Sequence, residues 1–452
     1  MSTFLQQAQE EAARHDAADV LAPFRAEFCF PQTARGEDVV YFTGNSLGLM
    51  PRSTRQGVLG ELDAWARLGV EGHFAAPGAA FASPTTPGTL AGPAEPWFSY
   101  HRLVAEGSAA LVGARPTEVV AMGSLTANLH LLMVSFYRPT KQRYKIVIEG
   151  GAFPSDRFLV QSQALFHGLD PSDAIIEIMP RAGEDLLRTE DIEAVLDREK
   201  DSIAVMLLSG INYYTGQLFD IRRLTRFARE RGIVVGWDLA HAAGNVPLSL
   251  HDDDADFAAW CTYKYINSGP GAVALSFVHE RHARSFDMPR FCGWWSVNPN
   301  SRFNRVLPSA HLPPLDVQEG AEGWQISNAP ILSLAALHSS LAIFERAGLA
   351  RLRAKSLALT AFLEALVNDV EGVSIITPTD PAARGAQLSL RVPAGRLDAA
   401  RSQALLHERG VCVDYRRPDV IRAAPAPLYC RFADVVRFVD ALRACVLSGR
   451  ES

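Results

Sequence analysis

What the chain lacks removes several classes of function. No stretch reaches the ~18 uninterrupted apolar residues of a membrane-spanning helix, so no span is expected. Cysteine is scarce: six among 452 residues, at Cys29, Cys261, Cys292, Cys412, Cys430 and Cys445. None forms a C-x-x-C pair, so there is no zinc or disulfide framework, and reduced thiols in the cytoplasm are the fitting reading. Basic charge is not in excess, with 44 Lys and Arg against 50 Asp and Glu and a net charge of −6. A general nucleic-acid binder needs a basic face to neutralise phosphates, so nucleic acid is not an expected partner. Missing too are the G-x-G-x-x-G fingerprint of dinucleotide sites and the Walker A loop. The first residues, MSTFLQQAQEEAARHDAADVL, lack the apolar core of a signal peptide.

What is present suits a large globular enzyme. Apolar residues make up 48% and charged residues 21%. The length exceeds the ~250–300 residues at which one core stops growing, so two domains are expected. Residues 4–20 read as a helix. YFTGNSLGLMP (41–51) is a loop closed by proline, and 53–68 is helical again. Residues 74–96 are rich in Ala, Gly, Pro, Ser and Thr, with Glu95 the lone charge, and read as a long loop or insertion. Strand-like runs at 117–122, 144–150, 202–210, 233–238, 256–264 and 272–278 then alternate with helical stretches at 126–136 and 221–232. Apolar strands alternating with helices predict a mainly parallel sheet covered on both faces. After a break at 297–320, residues 330–370 are helical. The patterns at 386–391, 397–409 and 433–446 indicate a smaller α/β domain.

Ligands of open α/β sheets gather beyond the carboxyl ends of the strands. Four segments fall there. GSLTANLHLL (123–132) offers backbone N–H groups at a helix start, at Leu125, and the Thr126 hydroxyl; it is either a phosphate cradle or an ordinary cap. In AFPSDRF (152–158), Phe153 suits stacking on a ring, while Ser155 or Asp156 suits capping. In WDLAHAAGN (237–245), Asp238 ends a strand and His241 follows. A carboxylate there either pairs with a protonated pyridine nitrogen or satisfies loop backbone. In CTYKYINSGPGA (261–272), Lys264 follows a buried strand beside Tyr263. A desolvated lysine is a nucleophile or base, whereas a solvated one is neither.

Together Asp238, His241 and Lys264 resemble the fold-type I pyridoxal 5′-phosphate (PLP) enzymes of the aminotransferase class V group. Longer strings resemble the kynureninase family: YFTGNSLGLMP, LTANLHLLM, FPSDRF, YYTGQLFDI, WDLAHAAGNVPL, WCTYKYINSGPG, GWW, WQISNAPIL and IRAAPAPLY. The resemblance implies an α/β, PLP-dependent transferase-like fold with a mainly parallel seven-stranded sheet. It also implies three regions: an N-terminal segment (1–55) packing with the small domain, a PLP-binding domain (56–320) and a small C-terminal domain (321–452). Lys264 would form the Schiff base, Asp238 would bind the pyridine nitrogen, and His241 would sit beside it. Phe153 would stack on the ring with Asp156 nearby, and Leu125, Thr126, Ser209 and Tyr263 would surround the phosphate or ring. Trp294 and Asn328 match cofactor-site positions, at a site that the neighbouring subunit of a homodimer helps to build. Ser46, His73 and Asn328 match positions near the substrate's aromatic end, and Arg422 matches the clamp on its carboxylate. The implied reaction is hydrolysis of L-kynurenine, or 3-hydroxykynurenine, in tryptophan catabolism and NAD biosynthesis, with Lys264 moving the α-proton and Tyr263 a candidate base. The family's connection from this His to the next Trp is short. Here 74–96 intervene before Trp97, which points to a hydrolase retuned to a substituted kynurenine, or to another aryl-keto amino acid, as the alternative. A cysteine desulfurase would need a mobile cysteine, for which Cys292 is the candidate by position. A non-catalytic PLP-binding homologue would have lost Lys264, Asp238 or Arg422, and all three are present.

Overall fold

A computed structural model of the chain describes residues 3–75, 80–82, 89–91, 95–283, 288–303, 315–392 and 399–448. Its central sheet has seven strands: β1 (Val119–Met122), β2 (Lys145–Glu149), β3 (Ile175–Ile178), β4 (Ile203–Ser209), β5 (Val234–Asp238), β6 (Phe257–Trp260) and β7 (Ala274–Val278). They lie in the order β1-β7-β6-β5-β4-β2-β3. Neighbours from β6 across to β3 run parallel, and β7 is antiparallel to both β6 and β1. The mainly parallel sheet expected from the apolar runs is therefore present. The expected strand reaching residue 264 stops at Trp260, which leaves Lys264 in a loop.

Side chains alternate across the strands, and both faces are apolar, as a doubly covered sheet requires. Met206, Leu208, Val235 and Trp237 face one buried layer. Val205, Leu207, Phe257 and Ala259 face the other, under the helices Leu125–Phe136 and Pro154–Phe166. Phe257 stacks on Phe136, ring centroids 4.7 Å apart. Gly236 sits opposite Phe257 in the β5–β6 register, where a Cβ would lie 2.2 Å from that ring.

A second, antiparallel sheet forms later in the chain from β8 (Ser374–Ile375), β9 (Leu388–Arg391), β10 (Asp414–Arg416) and β11 (Val420–Ala423), ordered β8-β9-β11-β10. The N-terminal segment is built into this region. Val40–Tyr41 pairs in parallel with Val411–Cys412. Asp16 accepts from the free N–H groups of Phe432 (2.8 Å) and Ala433 (3.0 Å) at the start of helix Phe432–Ser448. Buried Lys355 and Asp19 pair at 2.7 Å.

Several details differ from the sequence reading. The helical stretch 330–370 is two helices, Ile331–Ala347 and Leu349–Asn368, parted at Gly348, whose φ of 75° suits glycine. Strand β3 and helix Thr189–Arg198 were not anticipated: β3 is an edge strand and only partly buried, so its apolar run is short. The expected loop 74–96 contains an antiparallel pair, Ala80–Ala82 with Thr89–Ala91. Its residues 76–79, 83–88 and 92–94, and residues 304–314 of the expected break at 297–320, lie outside the described residues. Among the described residues no helix is long and apolar enough to cross a membrane.

Gly236→Ala overpacks the Phe257–Phe136 stack, and overpacking a dense core costs about 1–3 kcal/mol. A lower urea midpoint for this variant is the expected outcome, and an unchanged midpoint contradicts the packing account.

Candidate active site

A cavity of about 230 Å³ lies at the carboxyl ends of β4 and β5. Leu125, Thr126, Phe153, Asp156, Ser209, Asp238, His241, Tyr263 and Lys264, all singled out in the sequence, line it. The parallel register brings this about: Asp238 and Ser209 are paired final residues of adjacent strands.

The cavity holds an unusual density of buried ionisable groups. Asp238 is buried and accepts from Ala240 N at 2.7 Å. Asp156, in the first turn of helix Pro154–Phe166, is also buried and hydrogen-bonded to Asp238. Burial, and then the charge of Asp238, hold the Asp156 carboxyl well above the usual carboxylate range. Asp156 therefore keeps a proton, and Asp238 carries the negative charge of the pair. His241 Nε2 lies 3.0 Å from Lys264 Nζ. Burial, with Lys264, Arg422 and Arg416 adding to it, pulls the His241 pKa far down, so its imidazole is neutral. His241 Nδ1 is buried with no hydrogen-bond partner among the described residues.

Lys264 is held out on a pinned loop. Thr262 Oγ1 donates to Val273 O at 2.6 Å, and Ser268 N donates to Thr262 O at 3.1 Å. Asn267, with φ of 58°, turns the chain and donates from its N–H to Lys264 O at 3.0 Å. Gly48 presses on this loop from the N-terminal segment. Its N–H donates to Tyr263 O at 2.8 Å, and a Cβ there would lie 2.3 Å from Lys264 O. Lys264 Nζ lies 5.8 Å from the centroid of Phe153, a large apolar residue left 43% exposed. Thr126 Oγ1 and Ser155 Oγ meet at 2.6 Å. Burial raises the Tyr263 pKa, so its phenol keeps its proton.

Arg422 and Ser46 sit beside the cavity rather than on its wall. Arg422 Nη1 donates to the carbonyl of Tyr213, itself a lining residue, at 2.8 Å. Arg422 Nη2 donates to Ser46 Oγ at 3.0 Å, and both groups bond to Asp414. The residues around Ser46 spell G-x-S-x-G, the pattern of serine hydrolases. The partners of Ser46 are nevertheless a carboxylate and an arginine, so it is not an activated nucleophile.

Within one chain, His73, Trp294 and Asn328 do not line the cavity. His73 Nδ1 bonds to Val70 O at 3.0 Å, and its ring packs on Trp97 and Phe98. Trp294 Nε1 donates to Arg302 O at 2.8 Å. Asn328 is exposed. Cys292 also lies away from the cavity, and burial raises its pKa, the reverse of an activated thiol. Ile211, Tyr213 and Ala240 line the cavity but were not singled out, and Ser124 and Ser155 were read only as caps. Glu149, buried behind Ser209, was also passed over; its signal was a charge ending the apolar run YKIVIE.

Asp156 has a linkage consequence. A carboxyl whose folded pKa is raised binds its proton more tightly in the folded state, so its contribution falls as pH rises from the unfolded value, ~4. Asp156→Asn removes that loss. Thermal melts of the cofactor-free protein at successive pH values should show the variant gaining on the wild type as pH rises above ~4, whereas parallel curves contradict a protonated Asp156.

A family model described as the kynureninase C-terminal domain matches residues 352–442. A protein named kynureninase from Myxococcus xanthus is 51% identical over 436 residues, covering 95% of this chain and 96% of that protein. A kynureninase from Salinispora tropica is 49% identical over 445 residues, covering 97% and 98%. Among solved structures, a cysteine desulfurase from Escherichia coli superposes with a TM-score of 0.73 at 17% identity, covering 95% of this chain and 98% of that one. One from Thermococcus onnurineus gives 0.70 at 17% identity, covering 91% and 95%. At such low identity these structures show a shared fold, the α/β architecture expected from the sequence, and nothing of substrate. The full-length relatives carry more: this chain belongs to the kynureninase family.

Proposed function

We infer that PLP occupies the cavity around Lys264, and that the protein hydrolyses the Cβ–Cγ bond of L-kynurenine to give anthranilate and L-alanine. The observation that carries this is the convergence of Lys264, neutral His241 and the Asp238–Asp156 pair on one cavity. The donor set fits the cofactor. A buried carboxylate suits a protonated pyridine nitrogen, and Phe153 offers a ring face. The helix start at Leu125 with Thr126 and Ser155 suits a phosphate, while Ser209 and Tyr263 add hydroxyls. His241 Nδ1 is a buried polar atom that lacks a partner among the described residues.

When bound, PLP supplies a sink for the electron pair released at the substrate's α-carbon. The side chains do the rest. Asp238 keeps the pyridine nitrogen protonated, and Asp156, by holding its own proton, keeps the negative charge on Asp238. Lys264 would hold the cofactor and would take the α-proton of the substrate. Arg422 holds the substrate carboxylate, for which a planar fork is suited, and Ser46 shares its hydrogen-bond network. One water is consumed: its oxygen ends on the former γ-carbonyl carbon, and Cβ gains a proton to become the alanine methyl. Tyr263, protonated by virtue of its burial, is the candidate to relay a proton during this hydration.

The working unit is a homodimer, in the cytoplasm. Phe74, Trp294 and Phe303 are 61%, 47% and 60% exposed and form one aromatic patch with His73 and Phe98. Exposed apolar patches of this kind mark contact surfaces. A second copy covering it brings His73, Trp294 and Asn328 to the partner's cavity, where 3-hydroxykynurenine is the other candidate substrate.

Purified protein mixed with kynurenine, and separately with 3-hydroxykynurenine, should release fluorescent anthranilate or its hydroxylated form, and Lys264→Ala should release neither. No product from either substrate, or a fully active Lys264→Ala, defeats the reading. Mixing inactive Lys264→Ala with impaired Trp294→Ala should restore activity through hybrid dimers. If the mixture gains nothing, Trp294 does not act across subunits.

A further inference from the structure

Glu149 is the last residue of β2 and is 2% exposed. Ser209 bonds to its side chain twice, through the backbone N–H, 3.2 Å from Oε2, and through the hydroxyl, which meets Oε1, and the Glu149 backbone N–H also bears on the carboxyl group. Among the described residues no cation pairs with it, and the nearby charge that bears on it is that of Asp238. Asp156 feels it in turn. Three carboxyl groups, Glu149, Asp156 and Asp238, are thus buried together, and Lys264 is the ammonium that faces the pair Asp156 and Asp238. Burying a bare carboxylate without a cation is costly, and a group so placed takes up a proton instead.

The direction of that proton matters, because Ser209 lines the cavity and Glu149 does not. An ionised Glu149 only accepts; it would take the Ser209 hydroxyl hydrogen and leave Ser209 lone pairs facing the cavity. A protonated Glu149 accepts from Ser209 N with one oxygen and donates to Ser209 Oγ with the other. The Ser209 hydroxyl hydrogen is then free to turn outward.

We propose that Glu149 is a positioning residue that carries a proton, donates it in a hydrogen bond to Ser209 Oγ, and so presents Ser209 to the cavity as a hydrogen-bond donor. Its target is an electronegative atom of bound PLP, and that part rests on the cofactor reading above. Burial and the charge of Asp238 raise the Glu149 pKa, in the sense required.

Glutamine tests this directly, since its amide reproduces one acceptor and one donor of a protonated carboxyl group. An infrared difference spectrum, wild type minus Glu149→Gln, should contain a protonated carboxyl C=O stretch in cofactor-free protein and in holoenzyme. A carboxylate band in its place overturns the proposal. In a second arm, PLP affinity should stay within about twofold for Glu149→Gln and weaken about tenfold for Ser209→Ala, the size of one hydrogen bond. A tenfold loss in Glu149→Gln, with its melting temperature unchanged, also overturns the proposal. Failure of the wild type to bind PLP would defeat the cofactor reading instead, and the infrared band would still decide where the proton lies.

Discussion

The site depends on the cost of burying negative charge. Three carboxyl groups converge near the carboxyl ends of β2 and β5 and the start of helix Pro154–Phe166, and all three are buried. They cannot all ionise beside one ammonium group. Protons must be kept on some of them, and which group keeps its proton decides what each neighbour offers the cavity. Asp156 with a proton leaves Asp238 as the anion. His241 without an extra proton leaves a neutral ring beside Lys264. The chemistry assigned to Lys264 and Asp238 therefore follows from the electrostatics of the whole cluster.

The fold makes this cluster by register and by close approach. Parallel pairing sets Ser209 level with Asp238. The loop after β6 is fixed by Thr262, Ser268 and Asn267, so Lys264 does not wander into solvent. The N-terminal segment completes the arrangement. Gly48 touches the Lys264 loop, while Ser46 bonds to Arg422 on the second sheet. Residues far apart in the chain thus meet around Tyr213, whose carbonyl links the arginine to the cavity wall.

Much of this was legible from residues alone. The uninterrupted apolar runs gave away six of the seven strands, because a strand buried on both faces has no polar positions to confuse the pattern. Edge strand β3 has mixed burial and lacked that signature. Asp238, His241 and Lys264 stood out because ionisable groups directly after apolar strands need a reason to be there. Glu149 met the same criterion but was read as the end of a strand, since nothing in one dimension shows that Ser209 lies against it. His73, Trp294 and Asn328 matched family positions, but a single chain keeps them from its own cavity. Sequence spacing does not distinguish contacts within a chain from contacts between copies.

The central claim is that Lys264 carries the cofactor. Holoenzyme reduced with borohydride, digested and mapped by mass spectrometry tests it most directly. The account predicts that the reduced cofactor's mass is fixed to the peptide containing Lys264 and to no other lysine. Attachment elsewhere, or no attachment in protein that has taken up PLP, would contradict it.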